Sequence, residues 1–241
     1  MSPDPFELSP TPRRVLVDDV VDAIRDAILS GRITPGARLI EEDLATMLKV
    51  SRGPVRQAIF RLHGEGLVVH EPHRGASVVG VSEEDISDIY SLRTALERLA
   101  AEQACLRADE TDLAAMDAVL ERFERAPRDA ITRQFVARLD VEFHDALFRA
   151  SHSPRLFRAW ETLRSQLMLF LMLRDALPDD YPDSWLRDHR KLLAAVRSRK
   201  GVKAAALIEK HIGSARERLL GILRASGRID VPTGSRSENP K

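Results

Sequence analysis

Residues 44–58 run Leu44-Ala45-Thr46-Met47-Leu48-Lys49-Val50-Ser51-Arg52-Gly53-Pro54-Val55-Arg56-Gln57-Ala58, and their reading decides the fold of the first third of the chain. Leu44, Met47 and Leu48 recur at helical spacing, so residues 41–48 are expected to form a short helix with these three side chains inward. Lys49-Val50 then leaves room only for a tight connection. Ser51 suits the N-cap of a second helix, because its hydroxyl can accept from the first free backbone N–H groups. Pro54 is tolerated in that first turn, where its missing N–H has no intrahelical role. This helix is expected to run to about His63 and to end at Gly64 and Gly66.

Upstream, Val17, Val20, Val21, Ile24 and Ile28 mark one apolar helix face, and Ser30-Gly31 stops it. Thr34-Pro35-Gly36 reads as a turn. Downstream, Leu67-Val68-Val69 and Ser77-Val78-Val79 are β-prone and flank Pro72-His73-Arg74-Gly75, which predicts a hairpin. Helix, short helix, tight turn, helix, hairpin is the plan of a winged helix-turn-helix. There the second helix of the pair lies in the DNA major groove with its N-terminal residues at base edges. Residues 13–80 are read as this domain. Residues 1–12, with four prolines, read as a loose arm, and residues 226–241 as a loose tail.

The remainder reads as helix throughout. Aromatics are 5% of the 241 residues, which favours helices over a β-sandwich or barrel. Six helices are expected near 82–107, 110–125, 130–150, 154–175, 183–199 and 202–225. They would form an antiparallel bundle with short connections. The predicted fold class is therefore mainly α: an N-terminal winged helix-turn-helix followed by a C-terminal all-α bundle. The single cysteine, Cys105, excludes an internal disulfide framework and a multi-cysteine zinc site. The longest apolar run, Leu167 to Leu173, is seven residues, too short to span a bilayer. The start, Met1-Ser2-Pro3-Asp4-Pro5, does not read as a signal peptide, so cytoplasmic location and no membrane partner are expected.

Charge points to DNA locally. Lys+Arg and Asp+Glu are both 37, which excludes a uniformly basic nucleic-acid coat. Residues 49–74, however, carry Lys49, Arg52, Arg56, Arg61 and Arg74 against only Glu65 and Glu71. Arg52 and Arg56 lie one turn apart on one helix face. Arginine can pair bidentately with guanine or clamp a phosphate, and Ser51 at a helix N-terminus can donate to phosphate. An ordinary solvated helix face would carry the same residues.

The bundle holds a second constellation. Asp140 and His144 are four residues apart on one helix and project side by side. His189 shares an apolar stripe with Trp185, Leu192, Leu193 and Val196, and His211 one with Leu207, Ile208, Ala215 and Leu219. Three imidazoles and a carboxylate from three helices can converge. Such a set suits a divalent metal, Zn²⁺ first, with Ni²⁺ or Mn²⁺ as alternatives. Each histidine alone could equally be a satisfied core residue. Arg93 shares a face with Ile86, Ile89, Leu96 and Ala100, and a buried guanidinium needs an anion. Glu97, four residues on, is one candidate; a carboxylate effector is the other.

These residues resemble a known family. Residues 28–36, Leu44-Ala45, residues 50–58, Glu65-Gly66-Leu67-Val68 and Arg74-Gly75-Ala76 fall in the order and spacing of the GntR family of bacterial regulators. The resemblance implies DNA contacts from Ser51, Arg52 and Arg56, with the wing tip Arg74-Gly75 entering a groove. Lys49 departs from the family's usual Gly and would add a phosphate contact. Glu42 stands where some members place a DNA-contacting Arg. Leu92-Arg93-x-x-Leu96-Glu97, Asp140-x-x-Phe143-His144-x-x-Leu147, Asp188-His189-x-x-Leu192-Leu193 and the late His211 are similar to the FCD ligand-binding domain of the FadR branch, in its VanR-like group. That resemblance implies a divalent metal on Asp140, His144, His189 and His211, and a small organic acid effector. His152, where that loop usually has Gly-Asn, reads as a plain loop residue.

A ligand-responsive dimeric regulator of operator DNA is thus the expected function. A metalloenzyme with a DNA-binding appendage is the alternative from another class, and a regulator with a metal-free acid pocket is a third. No His-Glu-x-x-His, Glu-x-x-His pair or Gly-rich phosphate loop supports the enzyme. A dimer is expected because one short recognition helix reads too few base pairs for a genomic address.

Overall fold

The five apolar positions of the first helix, Val17, Val20, Val21, Ile24 and Ile28, are all buried. They lie on α1 (Arg13–Leu29), which packs against α3 (Arg52–Gly64). The structure, a computed structural model, describes residues 13–71, 75–173, 181–227 and 229. The proposed arm at residues 1–12, wing residue Arg74 and all of the tail except Ser226, Gly227 and Ile229 lie outside the described residues. The chain divides into two compact units between Val79 and Gly80.

In the first unit, α2 (Glu41–Leu48) begins with Glu41, Glu42 and Asp43 in its first turn, where carboxylates complement the helix dipole. Leu44 and Ala45 are buried on it, but Met47 is 68% exposed, contrary to the inward position expected for it. The helix has only about two turns and packs mainly against α3. The face that meets α3 is centred on Leu44, Ala45 and Leu48, and Met47 falls about 100° from its middle. Lys49 follows as the C-cap in the left-handed region, φ 54°, and its N–H closes the helix end.

Strand β1 (Val68–Glu71) pairs antiparallel with β2 (Gly75–Val78), in the register Val68↔Val78 and Glu71↔Gly75. The hairpin has a neighbour the sequence reading did not include. Arg38 bridges to Ser77, the Leu39 N–H donates to the Ala76 carbonyl, and the Val78 N–H donates to the Ala37 carbonyl, both at 2.9 Å. One edge of the wing is thereby tied back to the turn before α2.

The second unit contains α4 (Glu83–Arg107), α5 (Glu110–Glu124), α6 (Arg133–Ala150), α7 (Pro154–Met172), α8 (Tyr181–Arg197) and α9 (Gly201–Ala225). Their starts follow local chemistry. Ser82 with Asp85, and Asp109 with Asp112, form capping boxes; Thr132 caps α6; Pro154 opens α7. The third expected helix starts three residues later than residue 130, because Arg128–Ala130 forms a short 3-10 turn first. The fifth starts earlier, at Tyr181, since Pro182 fits a first turn. Helix α4 lies along α9 and also touches α6, α7 and α8, so residues on its inner face meet most of the bundle. Arg199, in the left-handed region with φ 57°, donates to the carbonyls of Ala104, Cys105 and Ala108 and closes the end of α4.

Candidate functional site

The bundle interior brings Asp140, His144, His189 and His211 together. One ligand atom from each lies within 4.8 Å of all the others, and only His211 retains partial exposure. The three imidazole centroids are 4.5 to 5.4 Å apart. Helix α6 supplies Asp140 and His144 one turn apart, and α8 and α9 supply one histidine each, as the apolar stripes predicted.

The ring nitrogens are arranged asymmetrically. Nδ1–H of His189 donates to the Trp185 carbonyl at 2.7 Å, so Nε2 carries the lone pair. That Nε2 lies 3.5 Å from Oδ1 of Asp140. Nδ1 of His144 lies 2.6 Å from Oε2 of Glu97, at an angle short of a straight hydrogen bond. The Nε2 atoms of His144, His189 and His211 are all buried without a hydrogen-bond partner. Three orphaned imidazole nitrogens beside a carboxylate would be costly as mere packing. As a donor set they fit a divalent metal, with Trp185 and Glu97 orienting the rings from behind.

Arg93 is fully buried, as its face predicted, and donates through Nε to Oε1 of Glu97 at 2.6 Å. Its Nη2 lies 3.7 Å from Oδ2 of Asp140 and has no hydrogen-bond partner. Glu97 thus joins Arg93 to His144, a second role the i,i+4 spacing did not reveal. The indole of Trp185, read from sequence only as a stripe residue, donates to Oδ1 of Asp140 at 2.8 Å. Burial alone would push the Asp140 carboxyl up, but His144, Arg93, His189 and His211 around it hold it well below the usual carboxylate range. Burial pulls His189 down to about 4, against the attraction of Asp140. Burial, then His189 and His144, lower His211 well below an ordinary imidazole. Both rings are therefore neutral, and able to ligate, at neutral pH. The cluster opens to solvent beside His211 through a small cleft of about 70 Å³ that includes Lys191 and Lys210.

His152 lies apart, at φ 49° on the α6–α7 turn, with Nε2 2.6 Å from Oδ2 of Asp112. It is a surface loop residue there.

In the first unit, Ser51 occupies the N-cap of α3 with extended backbone, but its side chain makes no capping hydrogen bond. Arg52 and Arg56 are exposed, and both face Glu41. Arg56 meets the two Glu41 oxygens at 2.9 and 2.8 Å, and Arg52 reaches one at 3.5 Å. The Arg56 hydrogen bonds hold the Glu41 carboxyl below its ordinary range. Glu41 was not singled out from sequence; its only signal was its place just before Glu42. Arg61 pairs with Asp18 of α1, so its charge braces the domain. Lys49 is exposed, and Gly75, at φ 80°, opens β2.

Residues 16–78 match the model of bacterial regulatory proteins of the gntR family, and residues 88–214 match the FCD domain. The chain belongs to the GntR family and carries an FCD domain. It is 31% identical over 218 residues to the Uxu operon transcriptional regulator of Escherichia coli K12, covering 82% of this chain and 84% of that one. It is 29% identical over 180 residues to the gluconate operon transcriptional repressor of Bacillus subtilis, covering 73% of each. A solved GntR transcriptional regulator from Rhodococcus sp. RHA1 superposes with TM-score 0.68 at 28% identity, over 88% of this chain and 99% of that one. The protein is a transcription regulator of this family and binds DNA; its relatives are regulators, not enzymes, which removes the metalloenzyme alternative. No helix among the described residues is long and apolar enough to cross a membrane.

Proposed function

We propose that this regulator binds operator DNA as a homodimer in the cytoplasm and senses a small organic acid in a metal-containing pocket of its FCD domain. The observation that carries the reading is the set of three buried Nε2 atoms without partners converging on Asp140. Asp140, His144, His189 and His211 would hold one divalent metal, Zn²⁺ or else Ni²⁺ or Mn²⁺. Such an ion supplies a Lewis-acid contact for a carboxylate oxygen. Arg93 would contribute its unpartnered Nη2 to the same carboxylate while Glu97 holds its Nε. Relatives named as gluconate operon repressors support an acid as the effector class. The ligand set supports placement in the FadR branch and its VanR-like group.

Residues 13–80 would be the DNA reader and residues 82–225 the sensor. Lys49, Ser51, Arg52, Arg56 and the wing residues Arg74 and Gly75 would contact the operator. Leu92, Leu99 and Leu106 recur every seven residues on the outer face of α4 and are 49%, 44% and 81% exposed. That stripe supports the bundle as the dimer platform. Only four residues, 79–82, join the end of β2 to the start of α4, the helix that carries Arg93. Acid and operator affinities would then be coupled, typically by about 1–3 kcal/mol, and reciprocally.

Metal analysis with native mass spectrometry of the purified protein, followed by operator titrations with and without candidate acids, tests the reading. One divalent ion per chain, a dimer, and an acid-dependent shift in operator affinity are expected. A protein that takes up no divalent ion would remove the metal, and operator affinity indifferent to every acid would remove the sensor.

A further inference from the structure

Two half-buried arginines of α9, Arg216 and Arg218, have a buried Nε without a partner, and of these Arg216 pairs its Nη2 with Glu217. Arg164 pairs with Asp145, Arg190 with Asp117 and Glu124, Arg224 with Glu83, and Arg199 with three carbonyls. Arg218 is half-buried, and its Nε is shielded from solvent with no hydrogen-bond partner. Among the described residues it has no carboxylate partner. Its guanidinium lies over the ring of Tyr181, 5.5 Å from the centroid. Tyr181 is itself only 5% exposed. A desolvated guanidinium N–H without an acceptor is costly, and the partner that relieves it is an anion.

Its position is equally specific. Arg218 follows His211 by seven residues on α9, two turns on and only about 20° around the axis. Tyr181 precedes His189 by eight residues on α8, which packs against α9. His189 meets His211 at 4.5 Å, so the Tyr181–Arg218 pair lies along the same seam, about 10 Å of helix rise from the histidine cluster. Helical side chains lean toward the N-terminus, so Arg218 leans back toward His211.

We propose that Arg218, beside Tyr181 on the α8–α9 seam, is a second anion anchor of the sensor, and that the effector is therefore a dicarboxylate, with one carboxylate at the histidine cluster and the other at Arg218. This rests on the acid-sensing reading above and narrows it. Tyr181 flanks the guanidinium on one side, and a guanidinium N–H pair suits a bidentate carboxylate. A monocarboxylate would satisfy only the histidine end.

The test is calorimetric titration of the zinc-loaded full chain with glutarate, adipate and pimelate, each beside the monocarboxylate of equal length. Wild type, Arg218→Gln and Arg218→Lys are compared, with folding checked by circular dichroism. At least one diacid is expected to bind wild type about tenfold or more tighter than its monoacid. Arg218→Gln should abolish that preference and leave the monoacid affinity unchanged, while Arg218→Lys keeps part of it. Monoacid binding with no diacid preference in wild type, or a preference that survives Arg218→Gln, overturns the inference and leaves the acid sensor standing. Zinc uptake with no binding of either class overturns the acid sensor and this inference with it.

Discussion

The two units treat charge in opposite ways. In the DNA-binding unit the arginines proposed to contact DNA, Arg52 and Arg56, are exposed and share one carboxylate, Glu41, at the surface. In the FCD unit Arg93, Glu97, Asp140, His144 and His189 are buried and linked to one another. Exposed ion pairs are held weakly and exchange partners readily, which suits groups that must leave Glu41 for phosphate or a base edge. Buried ones cannot lose a member without stranding another, which would suit the proposed sensor site, whose geometry would be fixed before a ligand arrives. The same residue type, arginine, is thus an exposed, loosely held charge in one unit and a buried, networked one in the other.

The sharpest way to break this contrast is to delete Arg93. Arg93→Ala would strand Glu97 and Asp140 in the interior, and a loss of about 3–5 kcal/mol in unfolding free energy of the FCD unit is expected. Denaturant unfolding measures it. A variant as stable as wild type would mean that the buried network is not a unit. Arg56→Ala should do the reverse: melting unchanged, but operator affinity down by about ten- to hundredfold, with a shallower salt dependence. Unaltered operator binding by a folded Arg52→Ala/Arg56→Ala double variant would dismiss the exposed pair as DNA contacts.

Acid should also divide the units. His189 titrates near 4 in the fold against 6.5 for an ordinary imidazole. The unfolded chain then binds more protons than the native one between these values. For chelator-treated protein this contribution is full above about pH 6.5, falls away toward pH 4, and is on the order of 3 kcal/mol. Asp140 and Glu97, both depressed, extend the loss below pH 4 with the same sign. Melting of the FCD unit that is flat from pH 7 to 4.5 would contradict the buried neutral ring. Zinc should oppose the loss, since proton and metal compete for Nε2. Glu97→Gln, which keeps the shape and removes the charge behind His144, should weaken zinc about 10- to 100-fold in direct titration. Unchanged zinc affinity would show that the contact does not orient the ring.

The smallest effect belongs to the turn. Lys49 holds a left-handed conformation, φ 54° and ψ 42°, that strains any residue with a Cβ. Lys49→Gly should raise the stability of the DNA-binding unit by about 1 kcal/mol, read as a higher melting point. If operator affinity falls at the same time, Lys49 contacts phosphate.

Much of this was legible in the chain. The α1 stripe, the start of α3 after Ser51, the paired helices and the positions of all four candidate ligands follow from periodicity and punctuation, which are local properties of helices and turns; the hydroxyl cap expected of Ser51 does not form. Met47 was not legible, because an apolar residue in a two-turn helix is compatible with either face until a neighbour covers one of them. Glu41 and Trp185 were not legible either. An acidic residue at a helix start and an indole on an apolar stripe have ordinary explanations, and only the approach of another helix turns them into partners of Arg56 and Asp140.

By itself, then, the sequence determined which long helices and which hairpin form, to within a few residues at their ends, and which side chains share a helix face, since each depends on spacing along one segment. Tertiary structure alone decided that the Nε2 atoms of the three histidines are buried without a hydrogen-bond partner, which carboxylate each arginine meets, and that Glu97 serves Arg93 and His144 together. Those are contacts between segments far apart in the chain, and their energetics arise from burial, which no single helix creates.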